Sequence, residues 1–412
     1  MKEALCLKSL LAAPAKEDGF ASFREEAEVR ARTLKLPGPK HESWRLTDLA
    51  YLYGQTFQAA EGAGELPDIA AQVIPEAHRI VFVDGRFSSK LSDLPEIDNV
   101  KVSPLGLEDA GLHEHFGQSM QDEVFAQLNA RNFEDCAFIR VTGEVKQPIH
   151  VLHVSTKREF PVALYARCLV VLEEQARATL IEAYAGEGHC FDNAMTEVVL
   201  QAQAGLRHVR VQREGDQAVH VGNTVVALER GSNYDATMLA LGGRLSRHYL
   251  EVSHHGEGAE ARLEGLTLVD GRQIADVHTR IDHFVPNCQT VQRQKCIAGG
   301  SSTAVFSGNI VVHEQASGTD TKQESRNLLL SGKAKIDAQP MLEILNDDVS
   351  CRHGATVGQL DSEELFYLKS RGLSFDAARK LLIYAFASEI VDRIPVRTLV
   401  ESLRESMFGR LS

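Results

Sequence analysis

The sequence predicts a mainly β protein with a parallel β-helix core and α-helical regions on both sides of it. Two observations predict this fold. From about residue 140 onward, apolar and polar residues alternate, which is the period of strands with one buried face. Small residues precede successive strands at intervals of 29, 26 and 27 residues, at Ala176, Gly205, Gly231 and Gly258. Such a near-constant interval is typical of stacked coils that bury each other's cores.

The segments between these strands distinguish the β-helix from other architectures. No helical period intervenes between the strands, so a βαβ sheet is not predicted. The pattern alone leaves a β-sandwich as the alternative. We therefore place a β-helix core at residues 141–358, an N-terminal helical and mixed region at 1–140, and a C-terminal helical domain at 359–412.

The N-terminal region is predicted to be helical up to about residue 60. Residues 17–36 are rich in Glu, Arg and Ala, and the Pro-Gly-Pro run at 37–39 ends this helix. Beyond it, residues 79–85 predict a strand and a turn, and residues 109–132 predict a helix.

The period becomes helical again after Gly358. Three short helices are predicted at 361–371, 374–393 and 395–408, separated by Gly372 and Pro395. The second of these helices is apolar over much of its circumference. It therefore needs cover on more than one side, part of it from the β-helix and part from a partner protein.

Composition excludes several classes of partner. The 412 residues include 44 Lys plus Arg and 57 Asp plus Glu, so the net charge is −13. An acidic chain is a poor match for nucleic acid or an anionic membrane, which select clustered Lys and Arg. The seven cysteines contain no Cys-x-x-Cys pair and fit a reducing compartment. With no secretory apolar region near Met1 and no long apolar run, we expect a cytoplasmic protein.

The residues most suited to chemistry are Cys351 and His353. They lie two apart, so on a strand they project from the same face. We expect Gly354 and Gly358 to break the strand, and the Asp-x-x-Glu pattern beginning at Asp361 to start a helix. A thiolate and an imidazole suit iron, zinc or cluster chemistry, but two ligands are too few for a closed site. Without further ligands, a buried cysteine and a hydrogen-bonded histidine are the alternative interpretation.

Three other groups of polar residues carry weaker predictions. Asp276, His278, Arg280 and Asp282 alternate on one strand face with His283 on the other, which favours a polar ladder on the outside of the β-helix over a general-base site. Cys288 and Cys296 match no metal or cluster spacing and are predicted to be core residues. The doublet of His254 and His255 puts its two rings on opposite faces, so it is a weak metal signal.

No nucleotide-binding loop is predicted. The run ending at Lys333 has Asn327 where the first glycine of Gly-x-x-x-x-Gly-Lys-Ser/Thr should stand, and Ala334 lacks the hydroxyl that binds magnesium. If ATP drives the function of this chain, another subunit binds it.

Several runs together carry a family resemblance. The chain resembles the SufD subunits of the SUF iron–sulfur cluster assembly system. Its Cys-x-His-Gly-Ala-Thr-Val-Gly motif is closer to SufD than to the paralogous SufB. Two departures are Arg352, where the family commonly has a small Ser, and Asn309, where it commonly has Lys. The runs that carry the resemblance are 276–283, 306–309, 319–320, 328–331, 342–344, 347–348, 350–372 and 382–387.

The resemblance implies a right-handed parallel β-helix with helical ends and a non-catalytic scaffold role. It implies a SufB-like paralogue paired through the β-helix, and a transient iron–sulfur cluster or iron shared with that paralogue, with His353 and Cys351 as the candidate site. It also implies a SufC-like ABC ATPase, which hydrolyses ATP, docked on the C-terminal helices; an isolated chain could form a homodimer. The candidate residues for ATPase docking are Leu365, Phe366, Leu368, Arg371, Leu381, Leu382, Tyr384 and Phe386.

Two other functions remain open from the sequence. A stand-alone β-helix enzyme acting on polysaccharides would use a groove of acidic and basic residues, for which the segment 276–282 is the candidate. A SufB-like subunit would hold a complete cluster by itself.

Overall fold

A computed structural model describes residues 2–12, 16, 18–38, 40–62, 64–94, 99–103, 115–117 and 119–410. Its centre is a parallel β-solenoid of about eight turns built from two sheets. The first sheet contains β1 Gln58–Ala59, β4 Val100–Ser103, β5 Ala137–Val141, β7 Val162–Leu164, β8 Arg167–Leu172, β10 Cys190–Leu200, β12 Val219–Leu228, β14 Leu245–His254, β16 Ile274–His283, β18 Thr303–Val312 and β20 Lys335–Ile344. The second contains β2 His78–Val83, β3 Arg86–Phe87, β6 Ile149–Ser155, β9 Arg177–Gly186, β11 Gly205–Gln212, β13 Asn233–Ala240, β15 Glu260–Val269, β17 Gln289–Ala298, β19 Thr319–Leu329 and β21 Val349–Gly358.

From β8 onward the strands alternate between the sheets along the chain, so each coil contributes one strand to each sheet. Strands of neighbouring coils pair in parallel, as in the register of Gly205 with Asn233 and of Asn233 with Glu260. The intervals in the sequence therefore match the lengths of whole coils to within two residues, and the predicted β-helix is confirmed. A β-sandwich is excluded, because antiparallel pairing between the named strands occurs only at β2–β3 and β4–β5 within the described residues.

Alternate residues of each strand point into the lumen of the solenoid. One lumen column of the first sheet is apolar through six coils, and each of these side chains is almost completely buried. Full burial of such a side chain stabilises the fold by about 1.5–3 kcal/mol. The column consists of Val170, Val198, Val226, Val252, Ile281 and Ile310.

Helices lie before and after the solenoid, as predicted. The predicted N-terminal helix at 17–36 corresponds to α2, and the helix predicted at 109–132 is observed from Val124 onward, whereas residues 104–114 and 118 lie outside the described part. The three predicted C-terminal helices are confirmed to within a few residues. The helices are α1 Lys2–Leu10, α2 Ala21–Leu34, α3 Ala50–Tyr53, α4 Val124–Asn132, α5 Ser362–Ser370, α6 Phe375–Val391 and α7 Arg397–Arg410, with 3-10 turns at Glu42–Trp44 and Ala70–Gln72.

The terminal regions cover different outer faces of the solenoid. On the first sheet, Asp276 accepts hydrogen bonds from Thr47 and Arg247, and the Arg247 guanidinium lies 3.8 Å from the centre of the Trp44 ring. On the second sheet, apolar residues of α6 and α7 such as Ile383 and Leu403 pack against the outward apolar residues of the central coils. The domain limits at 140/141 and 358/359 stay predictions; β5 itself spans the first of them. No helix of the described residues is long and apolar enough to cross a bilayer.

Candidate functional site

The last coil forms an open end of the solenoid, which we call the rim and define as β20 and β21. β20 is the edge of the first sheet and β21 is the edge of the second, and neither pairs with a further strand within the described residues. Most residues of both strands are half-buried or exposed. Their outer backbone N–H and C=O groups are therefore available for pairing with another chain.

Cys351 and His353 lie on β21 and point along the lumen, which confirms that they share one face. Cys351 is paired with Thr321 of the preceding coil, and His353 is paired with Gln323. Gln323 is only 1% exposed, whereas His353, one coil later in the same column, is exposed. Cys351 is half-buried and packs against the apolar core. The difference arises because no further coil covers the rim.

The strand does not break where the sequence predicted. Gly354 lies inside β21 and is paired with Glu324, and the strand continues to Gly358. The prediction at Gly354 was wrong because the parallel ladder to β19 holds the backbone extended there. The predicted helix start is confirmed: the Asp361 carboxylate accepts a hydrogen bond of 2.7 Å from the Glu363 amide and caps α5.

The two candidate residues do not form a closed metal site by themselves. Among the described residues, neither Cys351 nor His353 belongs to a group of three or more close metal-ligating side chains. One thiol and one imidazole can supply two ligands to iron or to a cluster, and the remaining ligands must come from another molecule.

The residues predicted to dock the ATPase occupy different environments on the C-terminal helices. Phe366 is 75% exposed and Leu381 is 42% exposed. Phe386 is half-buried and faces the solenoid, where the Lys295 ammonium lies 4.2 Å from its ring centre. Tyr384 stacks on Phe408 with ring centres 4.8 Å apart. Of the remaining candidates, Arg371 is exposed, and those that are half-buried are Leu365, Leu368 and Leu382.

The polar ladder of β16 is on the outer face of the solenoid, as predicted. The sequence did not reveal that the N-terminal region covers part of it. Asp276 is completely buried, and its partners are Arg247, Thr47 and His278. Burial by itself would raise the pKa of Asp276, but the charge of Arg247 and the contact with His278 lower it. The carboxylate is thus held between a cation of the same sheet and a hydroxyl of the N-terminal region.

A polar network inside the lumen was missed by the sequence analysis. Glu182 accepts a hydrogen bond of 2.7 Å from Thr196 and lies 3.2 Å from Nε2 of His208, whose Nδ1 is 2.9 Å from the Tyr234 hydroxyl. Burial by itself would raise the pKa of Glu182, but His208 and Arg210 lower it. The network could have been found only by aligning residues one coil apart.

A second group missed by the sequence analysis consists of His254, His283 and Cys288. Cys296 is buried, and Cys288 is buried too, as predicted, but Cys288 also lies beside the two histidines. The interval between the histidines is 29 residues, which is one coil, so their stacking could have been inferred from the repeat.

Comparisons with known proteins agree with this architecture. The family model described as "SUF system FeS cluster assembly, SufBD core domain" matches residues 153–386, more than half of the chain. The chain belongs to the SufB/SufD family. An iron–sulfur cluster assembly SufBD family protein of Synechocystis is 36% identical, and the match covers 99% of this chain and 95% of that protein.

Two further relatives support the membership in the SufB/SufD family. The iron–sulfur cluster assembly protein SufD of Escherichia coli is 31% identical over 91% of this chain and 88% of its own length. The chloroplastic protein ABCI7 of Arabidopsis thaliana is 30% identical over 98% of this chain and 88% of its own length. The chain is thus a SufB/SufD-family protein of iron–sulfur cluster assembly, in agreement with the resemblance found in its motifs.

Proposed function

We propose that this chain is a non-catalytic scaffold subunit on which iron–sulfur clusters are assembled. Its rim pairs with a SufB-like paralogue, and a nascent cluster or iron is held between the two, with His353 as one ligand and Cys351 as a second candidate. Its C-terminal helices bind a SufC-like ABC ATPase, which hydrolyses ATP. The iron and the cluster are cargo of the complex.

The observation that carries this proposal is the uncovered lumen of the last coil. In the preceding coil, the lumen residues Thr321, Gln323, Ser325 and Asn327 are all at least 95% buried. Their successors on β21 are half-buried or exposed, among them Val357, which is 50% exposed. A related β-helix docked end to end would pair with both edge strands and cover these positions.

The position of His353 supports a shared cluster. Its side chain stands on the open cross-section of the solenoid, where a ligand from a facing protein can approach the same ion. A site divided between two proteins assembles only when they pair, so formation of the complex would control cluster building.

Exposed apolar residues on the C-terminal helices support the ATPase contact. Phe366, Tyr367, Phe375 and Leu381 are each more than 40% exposed. Large apolar side chains in one exposed region are typical of a protein interface. Phe375 and Leu381 lie on α6, which packs on the second sheet, and Phe366 and Tyr367 lie on α5 beside α6. All four residues lie outside β20 and β21, so a partner there need not block the rim.

The first test is co-purification of the full chain with a SufB-like paralogue and an ABC-type ATPase, followed by native mass measurement. Val357→Asp buries a charge at the proposed rim interface and should release the paralogue while the ATPase is retained. Phe366→Asp should release the ATPase while the paralogue is retained. Val29→Asp is the matched control, because Val29 is 62% exposed on α2, which belongs to neither proposed surface. It should leave both partners bound.

The second test concerns the cluster. His353→Ala should leave the complex intact but reduce the iron and sulfide recovered with it by about 10-fold or more. Arg352→Ala is the matched control, because Arg352 is the exposed neighbour on the opposite face of the same strand. Loss of the cluster only in the histidine variant supports the proposed role.

Three results would contradict the proposal. The chain could be recovered without either partner under gentle conditions, Val357→Asp could keep the paralogue bound, or the isolated chain could retain a complete cluster. A complete cluster on the isolated chain would indicate instead a subunit that holds a cluster by itself.

A further inference from the structure

Three metal-ligating side chains meet inside the solenoid, separate from the rim. His254 ends β14, His283 ends β16, and Cys288 lies in the turn before β17. One ligand atom from each side chain lies within 4.8 Å of the other two. All three residues are completely buried. A thiol and two imidazoles in this proximity are a donor set typical of zinc sites.

The coil repeat brings the two histidines together. His254 and His283 are directly paired between β14 and β16, and their rings stack with centres 4.2 Å apart and planes 11° apart. The Thr290 hydroxyl lies 3.2 Å from Nε2 of His254 and 3.1 Å from Nε2 of His283. It therefore fixes one edge of both rings from the facing sheet.

This arrangement leaves the lone pair of one ring nitrogen free to bind an ion. A hydroxyl has one proton, so Thr290 can donate to only one of the two rings, and the other ring must carry its own proton on Nε2 to complete the second bond. The Nδ1 of that second ring then has an unused lone pair. Nδ1 of His283 is buried and has no hydrogen-bond partner among the described residues.

Neutral imidazole and deprotonated thiolate are the forms of these side chains that bind a metal ion. The thiol lies 3.5 Å from the carbonyl oxygens of Gly256 and Pro286.

We infer that His254, His283 and Cys288 form a lumen site for a divalent cation of the zinc class. Zinc and cobalt accept imidazole nitrogen and thiolate together, and three protein ligands leave a fourth position for a water molecule. Binding breaks the S–H bond of Cys288 and forms a metal–thiolate bond. One proton is released to solvent, and no oxidation or reduction takes place.

The other buried group with a metal-ligand composition is less suitable. Asp192, Glu214 and His220 also lie close together, but the Arg210 guanidinium donates a hydrogen bond to Nε2 of His220. His220 also has Glu214 at 2.9 Å from its Nδ1. A permanent cation beside the group opposes a second one.

The inferred site lies below the rim in the same part of the lumen. Thr290 is paired with Thr321, and Thr321 is paired with Cys351, so two strand spacings, about 10 Å, separate the levels of Thr290 and Cys351. A bound ion would link the coils that support the rim. The inference does not depend on the proposed function, because the isolated chain contains all three ligands.

The test measures metal binding by the full chain under anaerobic conditions. The protein is unfolded, stripped with a chelator, and refolded with Co²⁺ or Zn²⁺ before removal of the free ion. We expect one ion per chain by elemental analysis. The cobalt form should show a thiolate-to-cobalt charge-transfer band together with the intense visible bands of tetrahedral cobalt.

Matched variants identify the ligands. Cys288→Ser should abolish the charge-transfer band, and His283→Gln should reduce ion retention by about 10-fold or more. Cys296→Ser is the control, because Cys296 is another completely buried cysteine that lies outside the three-residue group. Cys351→Ser at the rim should also leave the band unchanged. Circular dichroism and melting curves show whether each variant has folded.

The wild-type measurement makes the inference falsifiable even where a variant fails to fold. Absence of a retained ion in the refolded wild type would overturn it. A retained ion without a thiolate band, or a band that persists in folded Cys288→Ser or disappears in folded Cys351→Ser, would also overturn it. Loss of paralogue binding by the rim variants would leave this result unaffected.

Discussion

Substitution of His153 should make the fold less sensitive to acid. His153 points into the lumen, where its ring stacks between Phe82 and Tyr184 with ring centres 5.1 Å and 4.9 Å away. Neither ring nitrogen has a hydrogen-bond partner among the described residues. Burial is the main reason why the pKa of His153 is lowered to about 4, so the ring is neutral in the folded protein at pH 7.

The size of the effect follows from proton linkage. The usual pKa of 6.5 applies to the unfolded chain, and the folded value is depressed to about 4. The contribution to stability is therefore fully present above pH 6.5 and is lost as the pH falls toward 4, because only the unfolded chain takes up the proton. At about 1.4 kcal/mol per tenfold change in proton concentration, the loss between pH 7 and pH 5 is about 2 kcal/mol.

The variant His153→Phe removes the ionisable group and keeps an aromatic ring in the stack. The larger ring costs about 1–3 kcal/mol of packing, but this cost is the same at both pH values. Between pH 7 and pH 5, the free energy of unfolding of the wild type should therefore fall by about 2 kcal/mol more than that of the variant.

Urea unfolding at pH 7 and pH 5, followed by circular dichroism, measures this difference. His41→Phe is the control, because it makes the same replacement at an exposed position. Equal losses of stability in the wild type and in His153→Phe would refute the reasoning, since they would show that the buried ring accepts a proton without cost.

Three further predictions concern the packing of the terminal regions and the coils. Asp276→Ala should lower the free energy of unfolding by about 3–5 kcal/mol, because it leaves the Arg247 guanidinium buried without its carboxylate, and the double variant with Arg247→Met should recover part of this loss in urea unfolding. Gly256→Ala should lower the melting temperature strongly, because the new methyl group would lie 1.8 Å from a backbone nitrogen of the preceding coil; an unchanged melting curve would contradict the close approach. Lys295→Met should make α6 more sensitive to limited proteolysis, because the ammonium holds Glu389 at 2.6 Å, whereas Glu389→Gln keeps a hydrogen-bond acceptor and should have a smaller effect.

Most of the solenoid could be predicted from the sequence because its two periods are local. Alternation along a strand follows from the pleat, and the coil length follows from the distance between small residues at the turns. The extended conformation of Gly354 inside β21 could not be predicted from these two periods. Glycine weakens a strand by itself, but the complete hydrogen-bonded ladder from β19 holds Gly354 in place.

The cover of Asp276 depends on contacts that no local pattern records. Thr47 reaches this carboxylate from 229 positions earlier in the chain. An alternating polar strand has the same sequence pattern whether its outer face is in water or beneath another segment. The ladder was therefore placed on the correct face, but its cover was not predicted.

The candidate sites also divide into those that follow from a local sequence pattern and those that depend on contacts between coils. Cys351 and His353 were correctly placed on one face because their spacing matches the strand period. The proximity of His254, His283 and Cys288 could not be read from spacing within a strand, because it depends on the register between coils. In a solenoid, residues about one coil apart in sequence are nearest neighbours in space, so ligand searches must use that interval.

The two ends of the solenoid differ in a way that supports the proposed partner at the rim. At the N-terminal end, the outermost strands are short and antiparallel: β3 has two residues and β4 has four. At the rim, β20 and β21 have 10 residues each, and no further strand of the described residues pairs with them. Long unpaired edge strands promote aggregation unless another strand pairs with them or residues such as proline prevent pairing. In β20 only Pro340 lacks a backbone N–H, so pairing with a specific partner is the arrangement that would protect this rim from aggregation.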